Sequence, residues 1–123
     1  MLKVMIVDDS RIFRKMLKAA FVETGHEVIG EAGNGAEILE LLQSCTPDLI
    51  TLDITMPVMD GIETLRVIRS LEGVKIPPIV ALTANAMVGM KEMYLNEGFD
   101  GYISKPINRE ELQVLLNNIF CKK

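Results

Sequence analysis

Histidine occurs once in this chain and cysteine twice, and neither is placed for chemistry. Cys45 and Cys121 lie far apart, show no metal-ligand spacing and have only His26 as a helper, so free thiols in a reducing compartment are expected. His26 follows Gly25 at a helix-to-strand turn with no acidic or thiol partner in motif spacing, which argues against a phosphohistidine or metal role. No Gly-x-x-x-x-Gly-Lys stretch exists, so a P-loop nucleotide site is excluded. No apolar run approaches the length of a membrane span. The opening MLKVMIV runs straight into Asp8 and Asp9, too short and wrongly flanked for a secretory signal. Positive charge is also short: 13 Lys and Arg against 17 Asp and Glu leave a net charge of −4, the wrong sign for a general nucleic-acid binder. Linkers, low-complexity tracts and repeats are missing. The expectation is a cytoplasmic protein that neither inserts into a membrane nor binds nucleic acid. Its 123 residues suffice for one domain with a single buried core.

What is present is an alternation. Apolar, strand-like runs at 2–7, 27–32, 49–52, 78–82 and 101–104 are separated and followed by segments of helical period at 11–23, 35–44, 61–71, 86–97 and 108–119. Asn34 with Glu37, and Asn108 with Glu111, have the spacing of an N-cap with an acid in the first turn. Gly25 and Gly98 stand where helices stop. Leu112, Leu115, Leu116 and Ile119 form one apolar stripe. Strands that are apolar throughout need cover on both faces, so this pattern predicts an α/β fold: a doubly wound, five-stranded parallel sheet, (βα)5. Right-handed crossovers favour the strand order 2-1-3-4-5.

In such sheets ligands bind beyond the carboxyl ends of the strands. Those ends carry Asp8 and Asp9, Asp53, Thr83 and Lys105. Two carboxylates about 4 Å apart repel by roughly 4 kcal/mol at an effective dielectric of about 20. Three acids and one lysine therefore call for a hard divalent cation, and few protein ligands plus water suit Mg2+, or Mn2+, better than a Ca2+ cage. Its ligands are expected from the Asp8-Asp9 pair, Asp53 and a backbone carbonyl of the loop after Asp53. With the charge offset, Asp53 has the chemistry of a nucleophile towards a phosphoryl group, with Lys105 and the Thr83 hydroxyl on the transferred oxygens. Helix N-termini nearby are expected to add backbone N–H donors.

The segments VDD, LDITMPVMDG, ALTA and KP follow the first, third, fourth and fifth strands in that order and span essentially the whole chain. Together they resemble the response-regulator receiver family, and among its members the stand-alone chemotaxis receivers in particular. The resemblance implies a flavodoxin-like fold and a Mg2+-dependent phospho-acceptor, Asp53. It also implies metal ligands Asp8, Asp9 and the Thr55 backbone carbonyl, a switch hydroxyl on Thr83, a phosphate-binding Lys105 and a switch aromatic, Tyr102. The Lys105-Pro106 bond is expected to be cis on the same ground. Thr55 and Asn85 stand at positions that vary in the family and influence access of water to the phosphoryl group. A histidine kinase or histidine phosphotransfer protein is the implied donor. The chain ends just past the fifth helix, so no output domain is expected, and the output passes to a separate partner such as a flagellar motor switch. ALTANAM resembles receivers of hybrid histidine kinases as well, which makes a phosphorelay intermediate or a detached hybrid-kinase-type receiver the alternative.

Taken singly, each of these residues has a plainer explanation. A strand-end Asp caps a turn, Asp8-Asp9 leads into Ser10 as an N-cap, Thr83 caps a helix, and Lys105 is a surface charge. Their joint occurrence at four strand ends favours the phospho-acceptor. A flavin carrier is disfavoured because Asp8-Asp9 repels a phosphate. An aspartate-nucleophile phosphatase calls for Asp-x-Asp after the first strand. A phosphate-independent binding module stays open, and turnover catalysis is not expected. Met87, Met90, Met93 and Tyr94 share one side of the fourth helix and read as core packing. Val88, Lys91 and Leu95 share another side, adjoining Tyr102, and form the expected partner face of a monomer. Arg11, Arg14, Lys15 and Lys18 make a basic stripe opposite Ile12, Phe13, Met16 and Leu17, with Arg11 placed to guide a phosphodonor.

Overall fold

A computed structural model of the chain describes residues 1–54, 61–71, 76–83, 90–105 and 107–120. Strands β1 (Lys3–Val7), β2 (Glu27–Ala32), β3 (Leu49–Asp53), β4 (Ile79–Thr83) and β5 (Gly101–Ser104) alternate with helices α1 (Arg11–Glu23), α2 (Gly35–Leu41), α3 (Gly61–Arg69), α4 (Met90–Glu97) and α5 (Arg109–Phe120). All pairings are parallel, and the sheet order is β2-β1-β3-β4-β5, as the alternation predicts. No helix among the described residues is long and apolar enough to cross a membrane.

Two apolar layers sandwich the sheet. Met5, Val7, Ile50, Leu52, Ile79 and Ala81 point to one face, where Ile38, Leu65, Ile68 and Tyr94 cover them. Val4, Ile6, Leu49, Val80, Leu82 and Ile103 point to the other, under Leu17, Phe21, Leu112 and Leu116. This is the period-2 alternation of a strand buried on both sides. Full burial of each such side chain contributes roughly 1.5–3 kcal/mol.

The caps fall where their side chains dictate. Ser10 Oγ accepts from Phe13 N (3.2 Å), Asn34 Oδ1 from Glu37 N (3.0 Å), and Asn108 Oδ1 from Glu110 N and Glu111 N (2.8 and 3.2 Å). Gly25 follows the end of α1 at φ +88°, a conformation side chains resist. Two helices stop earlier than their periodicity suggests. After Leu41 the chain tightens into Gln43 N–Glu40 O and Ser44 N–Leu41 O bonds, and after Arg69 the Ser70 hydroxyl donates to Val67 O in competition with the helical ladder.

One expectation about helix faces fails: Met93 is 38 % exposed rather than core. On α1, Ile12 and Met16 opposite the basic stripe are also 74 % and 57 % exposed. The sheet covers the strip of α1 carrying Phe13, Leu17, Ala20 and Phe21, so apolar residues one step round the helix stay in solvent. Arg14 leaves the basic stripe: it donates to the Asp8 carbonyl and pairs with Glu31 at 3.4 Å. Met87, Val88 and Cys121 lie outside the described residues, as do the side chains of Met90 and Lys91.

Thr51 sits in the second apolar layer with its hydroxyl lacking a hydrogen-bond partner among the described residues. Thr51→Val removes that stranded group and is expected to raise stability by about 1 kcal/mol, read as a higher urea midpoint at unchanged slope. At the opposite pole from the strand carboxyl ends, His26 Nδ1 accepts from Leu2 N at 3.1 Å. Burial, then the nearby N-terminal amine, lowers the imidazole below its ordinary 6.5. The unfolded chain therefore binds the proton more readily, so this contribution is complete above pH 6.5 and lost as pH falls through the lower folded value. His26→Gln keeps an acceptor without titrating, and its unfolding midpoint is expected to depend less on pH across that window.

Candidate functional site

Three short ladder continuations carry the strand ends to one edge. Asp8 N donates to Ala32 O (3.0 Å), Ile54 N to Leu82 O (3.0 Å) and Lys105 N to Thr83 O (2.8 Å). The residues that follow each apolar run are thus fixed by backbone bonds to neighbouring strands. Gly61 opens α3 directly against this edge. A Cβ there would lie 2.5 Å from Asp53 O and 2.7 Å from Ile54 Cα, so only glycine permits the approach.

Asp8, Asp9 and Asp53 converge, with one carboxylate oxygen of each within 4.8 Å of the others. Asp8 is fully buried and Asp53 nearly so, while Asp9 is exposed. Asp8 Oδ1 accepts from Ser10 N (2.8 Å), which ties the carboxylate to the start of α1, where the helix dipole favours negative charge. Lys105 Nζ stands 2.8 Å from Asp8 Oδ2 and 3.6 Å from Asp53 Oδ2, and its ammonium lies 4.2 Å over the Phe13 ring. Asp8 Oδ2 is buried and meets the Lys105 ammonium as an ion pair, with no further hydrogen-bond partner among the described residues.

That oxygen, met by the ammonium alone among the described residues, has capacity left for a cation. One ammonium among three carboxylates leaves negative charge over, and the donors are all hard oxygens. Asp8, Asp9 and Asp53 are the residues placed to hold a hard divalent ion. The fourth expected ligand, the Thr55 carbonyl, lies outside the described residues, as does Pro106. Of the backbone donors at the helix starts, Ser10 N is engaged by Asp8 and Gly61 N by Ile54 O (2.9 Å).

Thr83 also reaches this edge but in the opposite phase. Asp53 pairs with Leu82 and so shares the face of the second apolar layer, whereas Thr83 is in phase with Ala81 and the first. On that side Tyr94 Oη donates to Thr83 Oγ1 at 3.3 Å. The Tyr94 ring packs on Tyr102 with centroids 5.8 Å apart. Sequence reasoning assigned Tyr94 to packing alone; its link to Thr83 spans the start of α4 and follows no motif spacing. Tyr102 is half-buried and lines shallow grooves with Leu95, Leu115 and Asn118. Leu95 is exposed there, on the face expected for a partner.

The family model described as the response regulator receiver domain matches residues 4–117. The chain is 35 % identical over 115 residues to the chemotaxis protein CheY of Bacillus subtilis, covering 94 % of each. Among solved structures it is similar to the CheX–CheY–BeF3–Mg2+ complex from Borrelia burgdorferi, at TM-score 0.88 and 31 % identity over 98 % of this chain and 90 % of that one. It is also similar to the receiver domain of a Pseudomonas aeruginosa sensor histidine kinase with magnesium coordinated in its active site cleft. That likeness has TM-score 0.84 and 30 % identity, over 98 % of both chains.

A cation held by the three aspartates stabilises the folded chain by mass action, about 2.7 kcal/mol at a hundredfold excess over its Kd. Mg2+ or Mn2+ is expected to raise the thermal midpoint, a chelator to reverse the rise, and Asp9→Asn or Asp53→Asn to cut most of it.

Proposed function

This chain belongs to the response regulator receiver domain family, and from that premise we propose that it is a phosphorylation switch whose acceptor is Asp53. The observation that carries the reading is the buried Asp53 carboxylate set among Asp8, Asp9 and Lys105 at the sheet edge. An Asp53 oxygen forms a bond to phosphorus while the bond from phosphorus to the donor atom breaks, and the donor leaves with that electron pair. The donor is a phosphohistidine of a histidine kinase or phosphotransfer protein, or a small acyl phosphate. Lys105 is close enough to shift from Asp8 to a phosphoryl oxygen, and the Thr83 hydroxyl serves another. Mg2+, when held by Asp8, Asp9, Asp53 and the Thr55 carbonyl, supplies the remaining charge neutralisation; the magnesium in the Pseudomonas receiver supports this choice.

The acceptor is loaded once per cycle and later hydrolysed, so the domain is a switch rather than a turnover enzyme. Its output surface is the side carrying Tyr102 and Leu95, to which the sequence pattern alone adds Val88 and Lys91, and it addresses a separate protein. We place the chain in the cytoplasm as a monomeric regulator, with chemotaxis and a flagellar motor switch as pathway and target. The CheY relative supports this placement. The Pseudomonas receiver supports a second reading, an intermediate in a phosphorelay that passes the group onward.

Incubation with acetyl phosphate and Mg2+ is expected to add one phosphoryl group by intact mass. Asp53→Asn and a chelated sample are expected to add none. An adduct that persists in Asp53→Asn would place the acceptor elsewhere, and its absence from the wild type at short times with two donors would favour a phosphate-independent binding module.

A further inference from the structure

We infer that Tyr94 is a positioning residue for the switch: its hydroxyl holds the Thr83 side chain in the resting position and releases it when Asp53 is modified. The inference rests on the phospho-acceptor reading of Asp53 and adds to it a named restraint.

Three observations carry it. Tyr94 is 1 % exposed, and its hydroxyl, 3.3 Å from Thr83 Oγ1, donates to that oxygen. Thr83 and Asp53 are out of phase in the sheet, so the Tyr94 and Asp53 sides lie on opposite faces of one edge. A Thr83 hydroxyl that turns toward a group on Asp53 therefore turns away from Tyr94. A buried hydroxyl deprived of its acceptor is costly, so the resting bond opposes the turn. Lys105 N is bonded to Thr83 O at 2.8 Å, which holds the Thr83 backbone, so that the turn takes place at the side-chain torsion.

The same ring connects the restraint to the outer surface. Tyr94 packs edge-on against Phe99 at 6.2 Å and tilted against the half-buried Tyr102 at 5.8 Å. Loss of the Thr83 bond frees the Tyr94 ring to adjust, and the ring it touches is Tyr102. Tyr94 is then the physical step between a hydroxyl at the sheet edge and an aromatic lining the partner grooves.

The chain contains two tyrosines and no tryptophan, so tyrosine emission reports on these two rings alone. The probe is beryllofluoride with Mg2+, titrated into the full chain as an equilibrium mimic of the phosphoryl group. Tyr94→Phe keeps the ring and removes the restraint, so beryllofluoride is expected to bind about fivefold tighter, the worth of one ordinary hydrogen bond. In a Thr83→Val background the same change is expected to have no effect, because the oxygen it addressed is gone. In Tyr102→Phe, the emission of Tyr94 is expected to respond to beryllofluoride with Thr83 present and not with Val. A purely structural Tyr94 moves affinity equally in both backgrounds. Equal shifts, or weaker binding by Tyr94→Phe, overturn the restraint while leaving Asp53 as acceptor. A wild type that binds no beryllofluoride and gains no phosphoryl mass overturns both.

Discussion

Holding three carboxylates at one end of a parallel sheet is the constraint from which the rest of this site follows. Each pair at about 4 Å costs roughly 4 kcal/mol at an effective dielectric of about 20, and a fully buried Asp8 adds desolvation. The chain answers with Lys105 against Asp8 and Asp53, with Ser10 N on Asp8 Oδ1, and with Phe13 under the ammonium. These partners hold the acids together without neutralising them. The residual charge and an Asp8 Oδ2 met only by the Lys105 ammonium among the described residues make the edge receptive to a cation and, through it, to an anion.

Much of this was legible in the chain itself. Strands buried on both faces announce themselves as unbroken apolar runs, and an acid, a threonine or a lysine ending such a run stands out because nothing in the core explains it. Caps were legible for a similar reason, since Ser10, Asn34 and Asn108 act on backbone groups two or three residues away.

Helix faces were less legible. Periodicity fixes the angle between residues on a helix but not how wide a strip its sheet covers. Ile12 and Met16 sit a step beyond that strip on α1, and Met93 does so on α4. Arg14 misled in the opposite sense: its long stem lets a residue placed on the basic side reach back to Asp8 and Glu31. Tyr94 was read as volume alone, because the partner of a tyrosine hydroxyl depends on how α4 returns against β4. That is a tertiary fact with no local signature.

The phase difference between Asp53 and Thr83 gives the edge its two-sided character. Asp8, Asp53 and Lys105 are in phase with the layer under α1 and α5, while Thr83 is in phase with the layer that holds Tyr94 and adjoins Tyr102. The proposed charge chemistry at Asp53 and the proposed sensor, Thr83 with Tyr94, thus lie on opposite sides, with only the last residues of β3 and β4 between them. The Ile54 N–Leu82 O and Lys105 N–Thr83 O bonds keep that partition stiff, so a change in charge at Asp53 has little backbone to move. What remains to move is a β-branched side chain with few rotamers. A threonine suits that role because its torsion has discrete, well-separated positions, and a buried hydroxyl partner on one side weights the choice between them.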